Sequence, residues 1–176
     1  MEFFETVRTR YSYRGKLTDQ AVPRDHLRQI VQAGIDAPTG CNAQSVSFVI
    51  ADEPSIIQEI AKINGDRTNT VCRTAQAVIA LVCDKTPVYG HQSFYLEDCA
   101  AAAQNIFLAL TALGYASVWI EGGILGEGSV QIGKILGVPK EKEVRILMPV
   151  GVPEKPGTPN PKKPFEQRAW FNKYGG

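Results

Sequence analysis

The sequence lacks an excess of either charge. Nineteen lysines and arginines face 18 aspartates and glutamates, for a formal net charge of +1. A nucleic-acid surface normally shows a basic surplus, so no nucleic-acid partner is expected. Histidine is scarce: His26 and His91 are the only two and stand in unrelated settings, leaving few candidate ligands for a metal. His26 follows Asp25 on an expected helix and reads as a surface residue. The four cysteines, Cys41, Cys72, Cys83 and Cys99, form no Cys-x-x-Cys pair, which argues against a zinc knuckle or a thioredoxin-type redox centre. Missing too are Gly-x-Gly-x-x-Gly, the Gly-x-x-x-x-Gly-Lys-Ser/Thr phosphate loop and Gly-x-Ser-x-Gly, the markers of Rossmann, P-loop and hydrolase chemistry. No apolar run suits a membrane span, since the longest is alanine-rich and broken by Gln104 and Asn105. Met1 to Glu5 shows no basic stretch leading into an apolar one, so no secretory signal is expected. The expectation is a cytoplasmic protein with reduced thiols and no membrane partner.

What is present is an ordinary globular composition, 44% apolar and 21% charged over 176 residues, enough for one domain with an ample core. Pro23 opens a helix in which Leu27, Ile30, Val31, Gly34 and Ile35 follow the spacing of a buried stripe, and Pro38 ends it. Ser45 to Ala51 reads as a strand, and Pro54 begins a second helix carrying Ile60 and Ile63. Ala77 to Cys83 is apolar on both faces, as a central strand covered on each side should be. Tyr95 to Leu113 is a long helix whose small residues, Cys99 to Ala103, permit close approach of another helix in the same domain or in a second subunit. A short strand from Ala116 to Ile120, a helix from about Gly128 to Leu136 and a strand from Glu143 to Gly151 complete the pattern. From Pro153 onward five prolines make a polyproline-like tail that cannot form its own core and needs a surface to lie against. The expected class is α+β (mixed α/β), with a central sheet of four to five mostly antiparallel strands flanked by helices. Residues 1–152 form the domain and 153–176 the tail.

Several short constellations carry chemistry. In Arg10-Tyr11-Ser12-Tyr13-Arg14, an extended backbone would point Arg10, Ser12 and Arg14 to one side and both tyrosines to the other. Guanidinium forks with a hydroxyl between them suit a terminal phosphate, although a solvated basic turn has the same composition. In Pro38-Thr39-Gly40-Cys41-Asn42-Ala43-Gln44, the amides of Asn42 and Gln44 offer donors and acceptors to a ring edge, or satisfy their own turn. Trp119-Ile120-Glu121-Gly122-Gly123 is a glycine-rich strand exit whose backbone N–H groups can approach a ligand. Lys162 and Lys163 sit in the proline tail, and Asn69 and Arg73 lie just before the central strand. Cys41 has no neighbouring histidine in the sequence and reads as an inert or bystander thiol.

Taken in order, these segments resemble the FMN-dependent nitroreductase family. The early Arg-x-Ser-x-Arg, the Ala-Pro-Thr-Gly-Cys-Asn-Ala-Gln before a strand, the Ala-rich helix, Ile-Glu-Gly, and Pro-Val-Gly-x-Pro leading to Pro-Lys-Lys-Pro span Phe4 to about Gln167. The resemblance implies a nitroreductase-like fold in an intertwined homodimer with FMN at the subunit interface. It implies FMN contacts from Arg10, Tyr11, Ser12, Arg14 and Lys162, with Lys163 as substitute, and from Pro38, Thr39, Asn42 and Gln44 of the other subunit. Glu121 and Gly122 would lie at the reactive flavin edge and Asn69 near the pyrimidine ring. The implied activity is ping-pong transfer of electrons from NADH or NADPH to a small-molecule acceptor, a quinone or nitroaromatic, with no protein acid or base assigned. A specialised dehalogenase, oxidase or flavin-fragmenting enzyme of the same fold, or a non-catalytic flavin-binding protein, are the alternatives. The chain departs from the family pattern at Thr39, where serine is usual, and at Ser45-Val46, where proline and an aromatic commonly follow the glutamine. It is also short, which leaves Thr86 to Gln92 as the one expected lid.

Overall fold

A computed structural model describes residues 2–63 and 66–175, the side chains of residues 66–69 excepted. Strands β1 (Val46–Ala51), β2 (Ala77–Cys83) and β3 (Glu143–Val150) form an antiparallel sheet in the order β1-β2-β3. Helices α1 (Phe3–Thr9), α2 (Arg24–Ile35), α3 (Pro54–Ile63), α4 (Asp66–Arg73), α5 (Tyr95–Ala112) and α6 (Glu127–Ile135) surround it.

β2 takes the central place because every one of its residues is apolar and buried. Alternation along the strand then divides the core. Val78, Ala80 and Val82 face a cluster with Ile57 and Ile60 of α3, Val71 of α4 and Ile132 of α6. Ala77, Ile79, Leu81 and Cys83 face the other cluster, with Leu27, Ile30 and Val31 of α2 and Ala102, Ala103 and Ile106 of α5. Helices therefore cover both faces, as expected. The small residues of α5 are used inside the chain: a Cβ on Gly34 of α2 would lie 2.9 Å from the Ile106 side chain. Asn105 Nδ2 also donates to Ala33 O across this contact, at 2.9 Å. Ile35, expected on the buried stripe, is instead exposed.

Among the described residues the expected four to five strands are three. Residues 116–120 lie beside β3 but are bridged to it only at Ala116–Gly151 and Ile120–Leu147. Proline explains the interruption. Ile120 and Leu147 exchange both N–H···O bonds, at 3.0 and 2.9 Å, and Ala116 N–H donates to Gly151 O. The same register sets Val118 opposite Pro149, which has no N–H to donate, so the ladder fails in its middle.

The tail has a surface to lie on within its own chain. Thr18 N–H donates to Val152 O, Glu154 N–H donates to Lys16 O, and Leu17 bridges Pro153. Further along, Gly157 fits under Tyr11, where a Cβ would come 2.3 Å from the ring. Residues 158–168 are exposed throughout.

Candidate functional site

The Arg10–Arg14 segment follows α1 as irregular extended chain, docked where Tyr13 N–H donates to Ser117 O at 2.8 Å. Tyr13 is buried, its hydroxyl donates to Lys16 O, and its ring meets that of Tyr11 edge-on. The tyrosines thus anchor the segment while Ser12 and Arg14 stand exposed. Arg10 does not stand free beside them; its guanidinium lies over the Phe107 ring of α5, 5.1 Å from the centroid. Because the tail runs back along this segment as far as Gly157, Lys162 and Lys163 follow five and six residues beyond that contact, both exposed. Among the described residues no carboxylate lies within ion-pair distance of Arg14, Lys162 or Lys163.

The loop between α2 and β1 is built differently. Pro38, Asn42 and Gln44 are exposed, and Thr39 is half-buried. Cys41, Asn42 and Gln44 all hold positive φ, between 50° and 54°, a region that residues with a Cβ rarely enter. Gln44 N–H donates to Thr39 Oγ1 at 3.0 Å, closing the loop at its base. Gly40 N–H donates to Asp98 Oδ1 at 2.7 Å, and Ser45 Oγ–H donates to Asp98 Oδ2 at 2.6 Å. Asp98 belongs to α5 and is buried. Gly40 must be glycine, because a Cβ would sit 2.4 Å from the ring of Phe94. Thr39 and Gln44 also border a small cleft of about 140 Å³ against Gly34, Phe48 and Ala102.

At the strand exit, Glu121 is half-buried and Gly122 is exposed with open space where a Cβ would be. Trp119 Nε1–H donates to one Glu121 oxygen at 2.9 Å, and Arg145 of β3 pairs with the other. Arg145 also reaches Glu143, 3.5 Å away, and Glu143 pairs with Lys85. Burial works against the charge of Arg145, but Glu121 and Glu143 outweigh it and hold its pKa above the ordinary value. The hydrogen bond from Lys85 to Glu143 likewise raises the lysine's pKa. The Glu121 side chain is therefore committed to neighbours, which leaves backbone as what this turn presents. The expected lid, Thr86 to Gln92, is an exposed tight turn in which Val88 N–H donates to Gln92 O and Gln92 N–H to Tyr89 O.

The candidate residues gather into two groups rather than one. Ser117 docks Tyr13, so the arginine segment and the start of the tail share one side of the chain. Glu121, a strand length further on, instead lies close enough to Cys99, the neighbour of Asp98, to add to the Cys83 hydrogen bond and burial in raising its thiol pKa. Arg10 meets α5 at Phe107, whereas the Pro38–Gln44 loop meets it at Asp98. At 1.5 Å of rise per residue these anchor points are separated by about 13 Å along the helix. Asn69 lies in α4, and its side chain is outside the described residues. His26, expected at the surface, is half-buried, its Nδ1 2.7 Å from the Tyr115 hydroxyl.

Sequence reasoning missed Asp98, although a carboxylate next to Cys99 on the inward face of α5 was a legible signal. It also missed a depression of about 610 Å³ between α6 and residues 138–143, bordered by Lys85, Lys134, Lys140 and Lys142. Cys41 is the exposed thiol; Cys72, Cys83 and Cys99 are buried. A hydrogen bond with Cys83, together with burial, pushes the Cys99 thiol far above its ordinary pKa, so it stays protonated.

The model of the Nitroreductase family matches residues 7–79 and 64–152, short of the proline tail. A protein of Methanothermobacter thermautotrophicus, provisionally named an NADH dehydrogenase/NAD(P)H nitroreductase, is 26% identical over 90% of this chain and 81% of its own length. The NADPH-flavin oxidoreductase of Vibrio harveyi is also 26% identical, over 96% of this chain and 74% of its own. In three dimensions the chain is similar to an FMN-dependent nitroreductase of Clostridium difficile, with a TM-score of 0.82 and 20% identity over 97% of this chain and 99% of the other.

Proposed function

The chain belongs to the nitroreductase family, and on that premise we propose that it is an FMN-dependent NAD(P)H oxidoreductase which reduces quinones or nitroaromatics by a ping-pong mechanism. One observation supports this most: among the described residues no carboxylate lies within ion-pair distance of Arg14, Lys162 or Lys163, and the tail that bears the lysines doubles back along the arginine segment. Cations left unpaired beside a serine fit the terminal phosphate of FMN. The exposed amides of Asn42 and Gln44 fit the alternating carbonyls and N–H groups of the flavin's pyrimidine edge.

Bound FMN would supply the redox chemistry, accepting a hydride from NADH or NADPH and delivering electrons to the acceptor. The chain's own part is to hold and tune it. Arg10, Tyr11, Ser12 and Arg14 would bind the phosphate end, with Lys162 or Lys163 closing over it. Backbone N–H groups at Glu121 and Gly122 would face the reactive edge, where no Cβ obstructs approach. Pro38, Thr39, Asn42 and Gln44 would serve the ring of the second subunit's flavin, and Asn69 the pyrimidine side. The half-buried Arg145 would hold the Glu121 side chain in its ion pair beside that edge.

The separation of the two groups along α5 supports a homodimer in which each site takes one group from each chain. Exposed apolar side chains support it as well: Phe3 and Phe4 of α1, and Phe165, Phe171 and Tyr174 of the tail, the last 90% exposed. In this reading residues 153–176 complete both the FMN site and the dimer. Purified protein should be yellow, bleach with NADH under anaerobic conditions and recolour on adding a quinone. A colourless protein that neither binds FMN nor oxidises a nicotinamide would overturn the reading. Sedimentation should give a dimer, and initial rates should give parallel double-reciprocal lines.

A further inference from the structure

We propose that Asp98, with Ser45, is the positioning residue that holds the amides of Asn42 and Gln44 in their flavin-binding pose. The proposal rests on the assignment of this loop to the flavin. Three non-glycine residues of four successive positions, Cys41, Asn42 and Gln44, hold left-handed backbone. Such a loop relaxes toward ordinary conformations unless its surroundings over-determine it. Here the constraints are few and identifiable. One is the turn's own bond from Gln44 N–H to Thr39 Oγ1. The others come from the first turn of α5: the Phe94 ring under Gly40, and the two Asp98 oxygens, one bound to Gly40 N–H and one to Ser45 Oγ–H.

Asp98 is 3% exposed and has no cationic partner within ion-pair distance among the described residues. Its two recorded side-chain hydrogen bonds both go to this loop, which makes clasping the loop the evident use of a buried carboxylate. The bonds sit on either side of Cys41, Asn42 and Gln44 and so fix where the strained stretch starts and ends. Ser45 stands where the family resemblance leads one to expect proline. A proline would restrict the backbone at this point by its ring. This chain restricts it by a hydrogen bond to α5 instead, so the departure at Ser45 and the buried Asp98 are two halves of one device.

The experiment compares Asp98→Ala, Asp98→Asn, Ser45→Ala and the double variant Asn42→Ala/Gln44→Ala in full-length protein. The readouts are FMN affinity by fluorescence quenching, the visible absorption band shape of bound FMN, and thermal unfolding of the flavin-free protein. Asp98→Ala should weaken FMN at least tenfold and shift the band shape toward that of free FMN. Asp98→Asn keeps an oxygen for Gly40 N–H and should restore most of both. Ser45→Ala should shift the spectrum in the same direction, with unfolding changed little, and it decides the matter if Asp98→Ala fails to fold. Wild-type affinity and spectrum in Ser45→Ala and in either folded Asp98 variant, while the double variant loses FMN, would overturn the positioning role and leave the loop's assignment standing. If the double variant itself binds FMN with unchanged affinity and spectrum, the assignment of the loop to the flavin fails, and the proposal with it.

Discussion

The two ends of α5 support two unlike kinds of candidate surface. Near Phe107, the arginine segment is docked by its tyrosines while Ser12, Arg14 and the tail lysines stand exposed, the cations with no carboxylate in ion-pair distance among the described residues. Near Asp98, a short loop is strained, closed at its base and clasped by a buried carboxylate. The difference follows from what each surface would bind. A charge attracts a phosphate over several ångströms and in any orientation, so long basic side chains can wait unordered for it. A neutral amide is useful only when its donor and acceptor point the right way, so its backbone must be set in advance.

The largest expected effect breaks the comparison at its charged end. Arg14→Ala should weaken FMN by about 1.5–3 kcal/mol, the range for hydrogen bonds to charged groups. Riboflavin, lacking the phosphate, should bind as before; equal losses for both ligands in a fluorescence titration would contradict the assignment. Added salt should weaken FMN in the wild type and do so less in the variant.

At the clasped end, Gly40→Ala drives a methyl into the Phe94 ring and should cost about 1–3 kcal/mol in denaturant unfolding. The comparable contact at the other end is Gly157 on Tyr11. Gly157→Ala should cost less, since exposed tail can move away where the loop is pinned from both sides. Similar losses at the two glycines would mean that the ends are equally rigid.

A smaller effect appears at high pH. Cys99, Lys85 and Tyr115 all have folded-state pKa values raised above their ordinary ones, by the Cys83 hydrogen bond, the Glu143 hydrogen bond and burial respectively. In each case the unfolded chain gives up its proton first. Their contribution is thus complete below the unfolded values and is lost as pH rises, beginning near the ordinary thiol value of 9.0. Thermal unfolding midpoints should fall above about that pH, and Cys99→Ala should soften the fall. The smallest effect sharpens the picture of the loop. In native protein a thiol-specific disulfide reagent should modify Cys41 alone, and FMN should slow that reaction.

What could be read from the sequence follows how locally each feature is encoded. β2 declared itself by a run apolar on both faces, α2 by periodic apolar positions and α5 by a long run of small residues. α1 was not foreseen, although Glu2 caps it by accepting from Phe4 N–H and Glu5 N–H and its apolar residues, Phe3, Phe4 and Val7, face outward. α4 was missed because its threonines and asparagine are poor helix formers, held by tertiary packing of Val71 and Cys72. The extra strand was expected because residues 116–120 have a strand-like composition; the obstacle lay in another segment, at Pro149. The same holds for the site. Arg10-x-Ser12-x-Arg14 and Asn42-x-Gln44 are legible as motifs, but their placement at separate stations on α5 is not. Neither is the role of Asp98, which depends on a contact across 58 residues of chain.

The interrupted ladder beside β3 also bears on which changes of length this chain tolerates. Ala116 and Ile120 are the two pinned points of a five-residue span, Ser117 within it holds the arginine segment, and Glu121 begins just past its end. Side chains along the span can vary, but the number of residues between the pins is fixed by the matching distance along β3. Deleting one residue would force the loss of one pin and carry the arginine segment out of step with the strand exit. Inserting one is different. Opposite Pro149 there is no backbone bond to lose, so an extra residue can bulge outward at Val118 and leave both pins in place.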